Sequence, residues 1–207
     1  MDILDIKKIA QSSQMQAVGI KNKYSVFIPI IKIDGELHIL YEVRALSLRN
    51  QPGEISFPGG RIEADENFVD AAVRETCEEL LLEESDLEVY SKGDFLVNPY
   101  SAIIYSVVGE IKKPFNEIIP SKDEVDSLFA VPIKYFLENK PDVYELDLKV
   151  TEKDEFPYDL IPNGRNYKFK RGIDKVCFYE FEDKIIWGFT AKMTYEFIKK
   201  LKRAKID

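Results

Sequence analysis

Residues 60–82 read GRIEADENFVDAAVRETCEELLL, and their spacing decides the fold. At about 100° per residue, Glu75, Glu78 and Glu79 fall within one arc of roughly 100° on a helix. Val69, Val73, Thr76, Cys77 and Leu80 fall on the opposite side. Residues 67–82 therefore predict an amphipathic helix that buries one face and presents three carboxylates from the other. Asp65 or Asn67 can cap it, and Glu66 suits its positive N-terminal end. Acids at i, i+3 and i+4 repel by about 0.2–0.5 kcal/mol per pair. A helix that tolerates this usually has a cation to hold, and clustered carboxylates are the hard-oxygen ligands that Mg²⁺ and Mn²⁺ prefer. Taken alone, the three glutamates are better explained as a solvated acidic face.

Working outward, residues 24–33 are rich in β-branched and aromatic side chains and predict a strand. Asp34-Gly35 is a hairpin signal, with 37–44 as the returning strand. Asn50-Gln51-Pro52-Gly53 breaks the pattern, and 55–60 reads as a short strand entering a Gly-Gly loop. Downstream, 87–97 and 103–111 predict strands. Residues 125–139 read as mostly helical, interrupted at Pro132. Strands are expected at 143–150, 175–181 and 185–186, and a last helix at 187–203 with its lysines at the C-terminal end. The first 17 or so residues carry only a loose helical period. The mixed order implies one α/β (α+β) domain over 1–207, with an N-terminal extension of about 20 residues and a core at 24–200.

Composition narrows the function. The chain has 207 residues and a net charge of −8, with 45% hydrophobic and 12% aromatic residues. That is an ordinary globular balance. The acidity argues against a nucleic-acid partner, because phosphate backbones recruit basic faces. No apolar run approaches the roughly 18 residues of a membrane span. Cys77 and Cys177 are too far apart in sequence to suggest a disulfide framework and read as buried free thiols. A reducing, cytoplasmic location is the expectation. The single histidine, His38, sits in a predicted strand without a nucleophile motif nearby. Histidine-based triads and histidine-rich zinc sites are thereby disfavoured, and the chemistry must lean on carboxylates.

The 60–82 segment resembles the Nudix box. That pattern is Gly, five residues, Glu, seven residues, Arg-Glu, an aliphatic, any residue, Glu-Glu, any residue, Gly, an aliphatic. Gly60, Glu66, Arg74, Glu75, Glu78 and Glu79 occupy all six of its polar or glycine positions. Thr76 stands where an aliphatic is usual and Leu81 where the glycine is usual. Without that glycine, the helix is expected to run on into Glu83-Glu84. The resemblance implies a Nudix-type mixed-sheet α/β/α sandwich and a Mg²⁺- or Mn²⁺-dependent pyrophosphohydrolase. It implies Glu78 and Glu79 as metal ligands, Glu75 as a ligand or the base that activates water, and Arg74 as the residue that fixes a glutamate rotamer. The Gly60 carbonyl can complete the metal site, whereas Glu66 is a helix-start acid.

The preceding stretch, residues 40–49 followed by Gly53-Glu54-Ile55-Ser56-Phe57-Pro58-Gly59-Gly60, resembles the coenzyme A pyrophosphatase branch of that family. The branch shows Leu-Thr where this chain has Tyr41-Glu42. Residues 123–132 and Trp187-Gly188-Phe189-Thr190-Ala191 carry the same likeness. The substrate this implies is coenzyme A (CoA) or acyl-CoA, cut to 4′-phosphopantetheine and adenosine 3′,5′-bisphosphate. CoA carries a 3′-phosphate beside its diphosphate, so cations are required; Arg44, Arg49 and Arg61 are the candidates. Glu124 is either a further acid beside the metal or a loop acid. Trp187 reads as a packed core residue. Alternatives are another nucleoside diphosphate such as ADP-ribose, or a catalytically silent nucleotide-binding domain. A homodimer is compatible with the sequence but not required by it.

Overall fold

The computed structural model describes residues 1–13, 16–151 and 155–204. The first half of the chain forms α1 (Ile3–Ser12), β1 (Asn22–Ile33), β2 (Glu36–Arg44), β3 (Ile55–Ser56), β4 (Gly59–Arg61) and α2 (Phe68–Leu80). It continues as β5 (Leu87–Asn98), β6 (Ala102–Ile111), β7 (Val125–Pro132) and α3 (Ile133–Glu138). The last elements are β8 (Asp142–Leu148), β9 (Gly172–Phe181), β10 (Lys184–Trp187) and α4 (Gly188–Ala204).

β1 and β2 close through Asp34 and Gly35, at φ 50° and 86°. Positive φ at both central residues is what a tight two-residue hairpin requires. The main sheet runs β3-β2-β1-β6-β5, with β4 also on β1 and β7 on β2. β1 pairs with β6 in parallel and with β2 antiparallel, so the sheet is mixed. A smaller antiparallel sheet runs β10-β9-β8.

Both faces of the main sheet are covered. Along β1, Phe27 and Ile31 point to the α2 side, where they join Ala72, Val107, Leu40 and Leu80. Ile28 and Ile30 point the other way, into a cluster with Tyr41, Phe136, Tyr179 and Ile198 of the α3, α4 and β9 layer. A strand buried on both faces reads as a continuous apolar run, as β1 does. The α/β/α layering is thus set by the period-2 alternation of the central strands.

Three expectations are corrected. Residues 125–139 are not mostly helical; β7 occupies Val125–Pro132 and only Ile133–Glu138 is helix. Leu128 and Ala130 pack on the α2 side while Phe129 and Val131 pack on the other. A short apolar run buried on both faces has no period by which strand and helix can be told apart. Next, α2 stops at Leu80, because Leu81 adopts φ 47°, ψ 50°, a left-handed cap. Finally, Trp187 is not enclosed: it is half-exposed on the small sheet and stacks on Phe178 at 5.9 Å. Cys77 and Cys177 are free thiols, the first only partly buried. The described residues of the N-terminal extension up to Gly19, including α1, are exposed. Among the described residues, no helix is long and apolar enough to cross a membrane.

Candidate active site

The acids are assembled by α2 and by the register of β2. Asn67 caps α2, its Oδ1 accepting from Val69 N–H at 2.9 Å and Asp70 N–H at 3.2 Å. Ala72 and Val73 seat the helix on Phe27 and Val107, and Leu80 seats it on Ile31 and Leu40. Those contacts fix the helix's rotation, so they also fix where its glutamates project.

Glu79 is only 3% exposed, contrary to the expectation that all three glutamates project away from the packed side. The Gly59 N–H donates to its Oε2 at 2.8 Å. That bond depends on β4 lying tight against β1: a β-carbon at Gly59, φ 151°, would stand 2.3 Å from the Ser25 carbonyl oxygen. Ser121 N–H caps the Glu79 carbonyl at 2.8 Å, tying the loop before β7 to the end of α2. Glu124 lies in that loop, and its carbonyl accepts from Ala45 N–H at 2.8 Å.

Arg74 organises the remaining acids. Its Nε and Nη2 hold Glu66 at 2.9 and 3.1 Å, and its Nη1 reaches Glu75 at 2.9 Å and Glu78 at 3.2 Å. Nη2 also donates to the Arg61 carbonyl at 3.2 Å, joining α2 to β4. Glu75 lies over Gly60, where an added β-carbon would come within 2.3 Å of its Cδ.

A residue absent from the sequence-based candidates completes the group. Glu42 is fully buried. It follows Leu40 by two positions on β2, so it faces α2. Ser56 Oγ–H, opposite it on β3, donates to its Oε1 at 2.8 Å. Its Oε2 has no hydrogen-bond partner among the described residues. The available signal was a charged residue of the same parity as Leu40 inside an apolar strand.

These carboxylates feel one another. Burial raises the Glu79 pKa to about 9, reinforced by Glu42, Glu75 and Glu124 and opposed by the Gly59 N–H. Burial likewise raises Glu42 to about 7, opposed by the Ser56 hydroxyl and the Arg44 charge and reinforced by Glu124 and Glu75. Glu75 is raised by burial too, against its hydrogen bond and ion pair with Arg74, with Glu78 and Glu124 adding to the rise. Three buried or half-buried acids that push each other toward neutrality lack sufficient cationic partners of their own.

The donor set suits Mg²⁺ or Mn²⁺, being carboxylate oxygen throughout, and the unpartnered Glu42 Oε2 leaves one lone-pair site free. Among the described residues, no three His, Cys, Asp or Glu side chains converge closely enough to enclose an ion. Glu75 and Glu78 turn instead toward Arg74.

Of the expected substrate cations, Arg44 is half-buried near Glu42, its Nε without a hydrogen-bond partner among the described residues. Arg49 and Arg61 are exposed and enter no ion pair among the described residues. A cavity of about 540 Å³ opens on the opposite face of the sheet, between β5, β6 and α4, and is lined by none of the site acids.

A mixed-sheet sandwich carrying this loop and acid-bearing helix defines a class. The sequence profile of the NUDIX domain matches residues 21–153, and the chain belongs to that family. It is 37% identical over 124 residues to a Mus musculus protein named peroxisomal coenzyme A diphosphatase NUDT7, covering 59% of this chain and 51% of that one. It is 31% identical over 124 residues to a Homo sapiens protein named mitochondrial coenzyme A diphosphatase NUDT8, covering 58% and 52%. The matches thus span about half the length of each of these relatives. A crystal structure of a MutT/nudix family protein from Enterococcus faecalis shares the fold at 12% identity, with a TM-score of 0.50, covering 100% of this chain and 71% of that chain.

Proposed function

We propose that this chain hydrolyses the diphosphate of CoA or an acyl-CoA, with Mg²⁺ or Mn²⁺ bound by the acids of α2. Water attacks one phosphorus, the P–O–P bridge breaks, and the products are 4′-phosphopantetheine and adenosine 3′,5′-bisphosphate. The observation that carries the reading is the buried Glu79, anchored by Gly59 beside Glu75 and Glu42. Arg44 and the Phe57-Pro58-Gly59-Gly60 run, resembling the CoA-cleaving branch, support the substrate. So do the names of the two relatives at 37% and 31% identity.

A bound divalent ion would neutralise diphosphate charge and lower the pKa of coordinated water. Glu79 and Glu78 are the proposed ligands, with the Gly60 carbonyl. Glu75, half-buried and with a raised pKa, serves as a ligand or takes the proton of the attacking water. Arg74 holds the Glu75 and Glu78 rotamers. Arg44 and Arg49 are proposed to read the 3′-phosphate, with Arg61 beside the Gly-Gly loop. Two free cysteines support a reducing compartment such as the cytoplasm, although the two relatives' names place those proteins in the peroxisome and mitochondrion.

The test is product identification from a panel of CoA, acetyl-CoA, ADP-ribose and diadenosine polyphosphates, with Mn²⁺, with Mg²⁺ and with chelator. CoA cleavage that stops in chelator is expected. Cleavage of ADP-ribose alone overturns the substrate. Nucleotide binding in chelator with no turnover marks a silent binding domain.

A further inference from the structure

We propose that Glu42, on strand β2, supplies a carboxylate to the metal site alongside the glutamates of α2. This rests on the metal-site reading above and adds to it a ligand from outside the acidic helix.

Three observations carry it. The first is placement. The register that puts Leu40 against Leu80 carries the next same-face residue, Glu42, toward the C-terminal turn of α2, where Glu79 sits. The second is burial without compensation. Glu42 and Glu79 are both shut away from solvent and interact repulsively. Among the described residues, the donors given to their side chains are one hydroxyl, from Ser56, and one backbone N–H, from Gly59. Burying a charge is costly unless it is paired or coordinates a metal. Arg74 is already engaged by Glu66, Glu75 and Glu78, and Arg44 favours the Glu42 charge without forming an ion pair with it.

The third observation is the free lone pair. Ser56 holds Oε1, which orients the carboxylate, while Oε2 is buried and has no hydrogen-bond partner among the described residues. Native proteins rarely leave such an atom without a reason. A carboxylate fixed by one oxygen and open at the other is the arrangement an oriented monodentate ligand needs. A strand residue serves this well, because the sheet holds its backbone rigidly.

The experiment is equilibrium Mn²⁺ binding to the full chain without substrate, read as free Mn²⁺ by electron paramagnetic resonance. It is paired with thermal unfolding in chelator. Wild type is expected to bind Mn²⁺. Glu42→Gln keeps the shape and should weaken binding at least tenfold, while unfolding in chelator at the same or a higher temperature because a buried charge is gone. Glu42→Asp keeps the charge one methylene short and should fall between the two. It also serves if the glutamine variant does not fold.

An Mn²⁺ affinity within twofold of wild type for Glu42→Gln overturns the proposal and leaves the proposed function standing. So does an Asp variant that folds and binds no better than Gln. If wild type itself binds no Mn²⁺, this proposal and the metal-dependent reading fail together.

Discussion

The carboxylate of Glu75 rests over the α-carbon of Gly60, so closely that a β-carbon there would come within 2.3 Å of Glu75 Cδ. The loop and the helix therefore meet at a glycine for lack of room, and Gly60 does not need a left-handed backbone. Gly60→Ala should push the Glu75 side chain aside without moving the sheet, since a flexible carboxylate yields more readily than backbone. Turnover should fall about tenfold or more, as a misplacement near 1 Å can cost a hundredfold. The denaturation midpoint should hardly change. Wild-type kcat in Gly60→Ala would show that the position of Glu75 is not used.

Glu79→Gln should cut kcat by at least a hundredfold, on the order of the loss of other charge-stabilising groups at a reaction centre. The amide oxygen can still accept from Gly59 N–H, so circular dichroism should match wild type. In chelator the variant should be no less stable, because Glu79 is buried among acids that raise its pKa. Activity within about tenfold of wild type would remove Glu79 from the metal site.

Leu81→Gly should stabilise the protein by about 1 kcal/mol, the scale of the cost of a left-handed conformation for an L-residue with a β-carbon. Leu81 holds φ 47° and its side chain is 58% exposed, so little packing is lost. Urea unfolding checks this through the midpoint, with steady-state kinetics unchanged. A lower midpoint would mean that the leucine side chain outweighs its backbone strain.

Substrate choice gives the last prediction. If an arginine binds the 3′-phosphate, CoA should exceed dephospho-CoA in kcat/KM by roughly tenfold or more, the worth of one charge-assisted contact of about 1.5–3 kcal/mol. Arg49→Ala is the cleaner test, because Arg49 is exposed and enters no ion pair among the described residues. Arg44→Ala also removes charge beside buried Glu42. One of the two should erase the preference while leaving dephospho-CoA hydrolysis near wild type. Equal cleavage of the two substrates would end the phosphate-reading role.

By itself the sequence determined an amphipathic helix from about residue 67, a cap at Asp65 or Asn67, the Asp34-Gly35 hairpin and the strand segments around them, but not where that helix ends. These follow from local periodicity and turn chemistry, which act over a few residues. The acids of α2 were legible for the same reason: spacings of three and four place them along one flank of a helix. Tertiary structure decided the rest. β7 exists because pairing with β2 outweighs the helical look of residues 125–139, and periodicity cannot register a partner that lies far away in the chain. Leu81 ends α2 although no glycine marks the place, with Leu82 N–H bonded back to Cys77 and its side chain packed in the core. Glu42 belongs beside Glu79 only through the register of β2 against α2, a relation between residues 37 positions apart that no local pattern encodes.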